Sequence, residues 1–311
     1  EHILTLQQLS GIGTKTIFKI AEQVTKPIHT IEELCTLWKT LKGKKMEAIG
    51  VDDIIEANNS AKRIIYASAQ ESIGLVGYYD DEFPNMLRHT INEDGKPDPP
   101  LLLWYRGDLS VASLPGLAVI GTREATPEGI SGGTFLSGEF AKRGFNIVSG
   151  LAVGCDTCGH KGALKAGGKT TAFLANGLDH DSIYPEENQE LAEEIVAKGG
   201  LLLSEYPIRQ SVNRYALVAR DRLQAALSLA TLVIQTGVKG GTMHAANTTL
   251  KAGKLLYAMK FKDETTNQHE KCLGNAYLVE QGAKYIGGSD NLDTVSEQIK
   301  NWKPLQTTLF D

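Results

Sequence analysis

Cysteine, methionine and tryptophan are scarce in this chain of 311 residues, at four, four and three copies. Four cysteines (Cys35, Cys155, Cys158 and Cys272) cannot form a disulfide framework for so long a chain, so a reducing, cytoplasmic setting is expected. No apolar run approaches the roughly 18–20 residues that a membrane helix needs. The polar, amphipathic N-terminus does not read as a signal peptide. The G-x-x-x-x-G-K-[ST] loop is missing, which argues against ATP hydrolysis. The dinucleotide fingerprint is missing too: Gly150 and Gly154 have the wrong spacing, and no acidic residue closes the next strand. Cys155 and Cys158, with His160, lack a second ligand pair at finger spacing, so neither a metal nor a cofactor is expected.

Net positive charge is lacking as well. Lys and Arg number 32 against 37 Asp and Glu, for a net charge of −5. A uniformly basic nucleic-acid binder is excluded, but the distribution matters more than the sum. From Tyr206 to Lys262 there are nine Lys/Arg and one acid, Asp221. That stretch is either the footprint of a local anionic partner or a solvated basic face.

What is present is globular: 41% hydrophobic and 22% charged residues, enough for one large domain and a small one. Residues 1–72 read as helical. Within them, Gly11 and Gly13 sit between two amphipathic pieces, where a tight turn would open a helix N-terminus toward a phosphate. The turn fits a helix-hairpin-helix of the SAM-like kind that grips a DNA backbone, or a plain helical connection. Residues 76–110 read as a turn-rich connector with a buried strand at Leu101–Tyr105. Strands and helices then alternate, which predicts an α/β fold: an extended Rossmann-like, mostly parallel sheet with helices on both faces, over 76–290. Residues 291–311 read as a C-terminal helix and tail.

Three glycine-rich turns fall at the carboxyl ends of predicted strands: Gly121-Thr122-Arg123, Ser149-Gly150 to Gly154, and Gly237 to Gly241-Thr242. In open α/β sheets the ligand crevice lies on that edge. Backbone N–H groups and helix N-termini there favour phosphate. The expected phosphate-binding set is Gly121, Thr122, Arg123, Ser149, Gly150, Gly154, Lys239, Gly240, Gly241 and Thr242. Arg220 and Arg222 join it from the basic stretch. Asp156 and His160, four apart on the following helix, share a face and are expected to position phosphate or structure. His244, three residues after Gly241, is either a phosphate donor or a structural histidine.

Several longer motifs carry a specific resemblance. Gly121-Thr122-Arg123, the run from Ser149 to Asp156 with Gly159-His160 and Gly162-Ala163-Leu164, Gly177-Leu178 with Tyr184-Pro185, and Ser204-Glu205-Tyr206-Pro207 resemble the DNA-processing protein A family. So does the approach from Phe83-Pro84 to Tyr105-Arg106-Gly107. The resemblance spans residues 75–290. It implies single-stranded DNA binding, loading of a recombinase and a homodimer formed through the sheet domain.

The sequence departs from that pattern in places. Arg220-Asp221-Arg222 stands where the family typically has Arg-Asn-Arg, and Gln235 stands where it has Glu. A C-terminal winged helix is not evident. A carboxylate among phosphate-binding groups repels its ligand unless it has a task. Asp221, with Glu205 as a second acid, would suit stabilisation of an oxocarbenium-like transition state. Rossmann-like relatives of the family include nucleotide N-glycoside hydrolases. One expectation is therefore a DNA glycosylase that releases an unusual or modified base, flipped into the crevice, in defence against foreign DNA. The other readings are a non-catalytic single-stranded DNA protein that loads a recombinase, or a sensor of a small nucleotide. Asp221 would in those cases pair with Arg220, Arg222 or a neighbouring helix.

Overall fold

The structure, a computed structural model, describes residues 1–303, so the last eight residues of the expected tail lie outside it. Five helices come first: α1 (His2–Gln7), α2 (Thr14–Ala21), α3 (Ile31–Thr40), α4 (Lys44–Glu47) and α5 (Val51–Gln70). Thr30 caps α3 by accepting from Glu33 N–H, while the Glu33 carboxylate accepts from Thr30 N–H, a reciprocal capping box. Gly11 has φ +77°, as the turn between α1 and α2 requires. Lys45 Nζ donates to Gly11 O at 3.1 Å and ties α4 to that turn. Ile17, Ile20, Leu34, Trp38 and Ile54 form an apolar cluster among these helices, which Leu101 also joins. Leu4 and Ala61 belong instead to a cluster with the sheet residues Leu102 and Trp104.

The rest winds around a sheet of nine strands. They are β1 (Gly74–Gly77), β2 (Leu102–Gly107), β3 (Gly116–Ile120), β4 (Asn146–Ser149), β5 (Lys169–Leu174), β6 (Leu201–Ser204), β7 (Ala230–Val233), β8 (Leu255–Met259) and β9 (Lys284–Ile286). The intervening helices are α6 (Pro127–Lys142), α7 (Cys155–Lys165), α8 (Gln189–Ala197), α9 (Arg214–Leu227), α10 (Gly241–Lys251), α11 (Glu264–Asn267), α12 (Leu273–Glu280) and α13 (Leu292–Lys300). The spatial order is β1-β2-β6-β5-β4-β3-β7-β8-β9. Strands β3 to β9 pair in parallel, whereas β1 and β2 run antiparallel at one edge. The expected Rossmann-like architecture is therefore what the chain adopts.

Two strands depart from the sequence reading. No strand is expected at the start of the connector, yet Gly74–Gly77 forms β1 and pairs along its length with β2. Gly74 lies so close to the Tyr105 ring that a Cβ there would collide with it. The segment after Lys262 supplies a further strand, β9, and Ile286, Leu292 and Ile299 enter the main core with Leu117, Phe140 and Ile147. The α9 helix ends on a cation: Lys254 Nζ donates to the carbonyls of Ala225, Ala226 and Ser228 at 2.7–2.8 Å. They lie in the last turn and C-cap of the helix, where carbonyls run short of backbone donors and the dipole favours positive charge. Among the described residues no helix is long and apolar enough to cross a membrane.

Candidate nucleotide-binding cleft

The chain leaves β3 toward β4 on one side and returns as β7 on the other. At this reversal of strand order, outside the carboxyl ends of the strands, lies a cleft of roughly 350 Å³. Gly121, Thr122, Arg123 and Glu124 line it after β3, Ala152 and Asp156 after β4, and Thr236, Gly237 and Lys239 to Thr242 after β7. Arg220, Asp221 and Gln224 of α9 close its floor.

The turns are as tight as their glycines suggested. A Cβ on Gly121 would sit 2.5 Å from Cys155 Sγ and 2.7 Å from Gln235 O. Gly154 has φ +80°, and a Cβ there would lie 2.5 Å from Thr122 O and 2.6 Å from Arg123 O. Both are backbone atoms of the neighbouring turn, so neither can rotate away. Gly154→Ala is expected to cost about 1–3 kcal/mol in strain and to displace Arg123. Urea unfolding and an anion-binding titration on the same preparation would measure the two losses.

The amides divide into used and unused. Asp156 is buried and accepts from Gly150 N–H at 3.1 Å and Ala152 N–H at 3.3 Å. The second turn thus carries its own anion, and Asp156 organises that turn rather than holding a phosphate. Burial pushes the Asp156 carboxyl above its ordinary value, opposed by the Arg220 charge and these hydrogen bonds. In the third turn, Met243 N–H reaches Gly240 O, but the N–H groups of Lys239, Gly240, Gly241 and Thr242 find no acceptor among the described residues. Arg123 and Lys239 likewise make no ion pair among the described residues, and both are exposed. Arg123 and the loop from Lys239 to Thr242 therefore carry the cleft's donors and cations that are left unpaired among the described residues.

Arg220 is 7% exposed and does not reach out to a ligand. Its guanidinium donates to Gly150 O and, at 3.1 Å, to Phe173 O, with Nε 3.3 Å from Asp221 Oδ1. It fastens α9 beneath the second turn, and Gly150 has no Cβ because the guanidinium occupies that space. Asp221 also accepts from Gln224 Nε2 at 3.1 Å. Burial raises the Asp221 carboxyl from 3.8 to about 6 despite Arg220, and the neighbouring Asp156 charge adds to the rise.

Other expected site residues lie elsewhere. Arg222 forms a two-pronged pair with Glu205 at 2.8 and 2.9 Å and meets Asp98 at 2.6 Å. Both are spent on joining α9 to the segments before β2 and after β6, so Arg222 is no phosphate ligand and Glu205 no free acid. His160 is fully buried, with Nδ1 2.7 Å from Thr170 Oγ1, and does not touch Asp156. Burial, with the Arg220 charge adding to it, takes His160 down to about 3, so the ring is neutral. Ser149 Oγ donates to Val119 O inside the sheet. His244 Nδ1 pairs with Glu93 at 2.7 Å. Gly11 and Gly13 do not line the cleft. Cys155 and Cys158 are buried free thiols, pushed up by desolvation, and no metal-holding cluster occurs among the described residues.

Gln224 is a cleft residue that the sequence reading passes over, although its place one turn after Asp221 on a helix was the available signal. Gln235, read as a lost carboxylate, is fully buried. Its amide accepts from Thr126 N–H and donates to Thr126 Oγ1 and Cys272 Sγ.

Comparison with known proteins bears directly on the chemistry. Residues 74–299 match the family described as DNA recombination-mediator protein A. Protein Smf of Synechocystis is 30% identical over 93% of this chain and 70% of its own length. DNA processing protein DprA of Bacillus subtilis is 30% identical over 74% of this chain and 73% of its own. DNA processing protein A from Streptococcus pneumoniae superposes with a TM-score of 0.72 at 25% identity, over 95% of this chain and 96% of that one. DNA processing protein A from Helicobacter pylori, described for its single-stranded DNA binding mode, gives 0.60 at 29% identity, over 74% and 97%. These relatives overturn the expected glycosylase: three of the four are named as DNA-processing proteins, and the one whose ligand is given binds single strands. Glu205, expected as the second acid, is locked to Arg222, and Asp156 is held by backbone amides. By its match from residue 74 to 299 and its 30% identity to Smf across nearly the whole sequence, the chain belongs to the DNA recombination-mediator protein A family.

Proposed function

We propose that this chain binds single-stranded DNA without cutting it and seats the strand's phosphates in the cleft between Arg123 and the Lys239–Thr242 loop. The observation that carries this reading is the pairing of unsatisfied donors with unpaired cations on one sheet edge. The N–H groups of Lys239, Gly240, Gly241 and Thr242 have no acceptor, and the Arg123 and Lys239 side chains no ion pair, among the described residues, and all five residues line one cleft. A strand tracking along a positive groove supplies that charge. The relative from Helicobacter pylori, described for binding single-stranded DNA, supports the choice of ligand. The family's description as a recombination mediator supports hand-over of the bound strand to a recombinase.

The test is fluorescence anisotropy of a labelled thymidine oligomer across a salt series. Affinity should fall log-linearly with salt. Arg123→Ala or Lys239→Ala should each reduce the slope by about 0.7, the share of one neutralised phosphate on a single strand. The oligomer should run unchanged on a denaturing gel. Salt-independent binding, or slopes unaltered in both variants, would overturn the reading.

A further inference from the structure

The loop that follows β7 carries the amides of Lys239 to Thr242, which have no acceptor among the described residues, yet packing holds little of it. Among the described residues a Cβ on Gly240 would meet nothing within 4 Å, and one on Gly237 would find its nearest atom at 3.7 Å. The placement of the loop relative to Arg123 must therefore come from its stem. Both backbone groups of Thr236 are engaged there. Its N–H donates to Asn275 Oδ1 at 3.0 Å, and its carbonyl accepts from Gly274 N–H at 2.8 Å. Gly274 and Asn275 belong to the first turn of α12 and do not line the cleft. That turn abuts the loop so closely that a Cβ on Gly274 would collide with the carbonyls of Thr236 and Gly237.

We infer, resting on the single-strand reading above, that Asn275 is a positioning residue for this loop. Asn275 is 3% exposed. Its amide nitrogen donates to Ile234 O and Met259 O, both at 2.9 Å, at the ends of β7 and β8. One side chain thus ties two strand ends to the loop stem. These three backbone groups fix its orientation, with the oxygen toward the Thr236 N–H and the nitrogen toward the two carbonyls. Aspartate would set a second oxygen against both carbonyls. Leucine would leave all three buried groups without this partner, which is costly. The approach to α12 also reaches the other wall of the cleft, where Lys271 Nζ lies 3.1 Å from Oε2 of Glu124, the residue after Arg123. Without Asn275 the cleft would keep every charge and donor it now has. It would lose their spacing, and an arriving strand would have to order the loop as it binds.

The experiment measures anisotropy of a labelled thymidine oligomer across a salt series, with urea unfolding of the same intact chains. Asn275→Ala should weaken binding by roughly tenfold at fixed salt, the cost of fixing the backbone of about one residue. Its salt slope should match that of the wild type, because no phosphate contact is removed. Gly237 is not in the left-handed region and a Cβ there has room, so Gly237→Ala stiffens the stem without strain. On the Asn275→Ala background it should regain roughly two- to fivefold. That gain should exceed what it adds to the wild-type chain, where Asn275 already holds the stem. If the alanine variant does not stay folded, Asn275→Ser, which keeps one hydroxyl for the three backbone groups, replaces it with the same expectations. A variant that loses stability but binds like wild type makes Asn275 purely structural and overturns the inference. So does a slope lowered to that of Lys239→Ala, or an equal gain from Gly237→Ala in both backgrounds. A wild-type chain that fails to bind the oligomer would sink the single-strand reading instead.

Discussion

Asp221→Asn should tighten binding of a plain thymidine oligomer by about ten-fold near neutral pH, equivalent to about 1.4 kcal/mol. The carboxyl sits on the floor of the phosphate cleft, and burial has already raised it to about 6. Strand phosphates favour its neutral form, so binding takes up a proton. Wild-type affinity should then rise as pH falls through about 6 and level off once Asp221 is protonated. The Asn variant should stay at the high level throughout. The sign for folding is the same. Because the folded carboxyl lies above its ordinary 3.8, its contribution to stability is fully present below that value and is lost as pH rises through about 6. Arg220, Asp156, Gln224 and His244 face the group and are unchanged by the substitution, so a comparison at fixed ionic strength isolates Asp221. An Asn variant that binds more weakly, or that keeps the wild-type pH slope, would contradict this account.

Arg220→Met should do more damage than any exposed arginine, although Arg220 barely reaches solvent. It removes a buried cation that serves Gly150 O, Phe173 O and Asp221 together. Breaking such a set strands its partners, and losses of about 3–5 kcal/mol are typical. Gly150 would lose its support, and with it the alignment of the second turn beside Arg123. Chemical denaturation should show the stability loss, and anisotropy at a temperature where the variant remains folded should show that binding goes with it. Arg222→Met makes the contrast. Its partners Asp98 and Glu205 lie outside the cleft, so stability should fall while the salt slope of binding holds. Equal binding by the Arg220 variant and wild type would show that the cleft keeps its shape without this clamp.

Much of this was legible in the residues. The alternation from Leu117 onward marks a parallel sheet, and three glycine turns at strand ends mark its ligand edge. About half the lining of the cleft comes from those turns, and α9 supplies Arg220, Asp221 and Gln224. What was hidden is pairing across the chain. Arg222 resembles a phosphate ligand until Asp98, 124 positions away in sequence, is seen to accept from its Nε. Asp156 reads as part of the anion site, yet it consumes the amides that would have made one. Gln235 reads as a missing charge, but its amide both accepts and donates, which a carboxylate could not do. The strands β1 and β9 escaped because four and three residues, two of them glycine in β1, are too few to show a period.

The order of strands has a consequence for how the molecule comes into being. The cleft lies between β3 and β7, neighbours in the sheet that are separated by more than a hundred residues of chain. Such distant parallel pairing is slow to form, because the loop must close before any native interaction rewards it. Until α9 and β7 dock, Arg123 faces no opposing loop and the second turn has no Arg220 beneath it. A half-folded chain therefore offers a strand nothing to hold. On the proposed reading a ligand would engage only the finished sheet, and each bound strand would withdraw one molecule from the unfolding equilibrium.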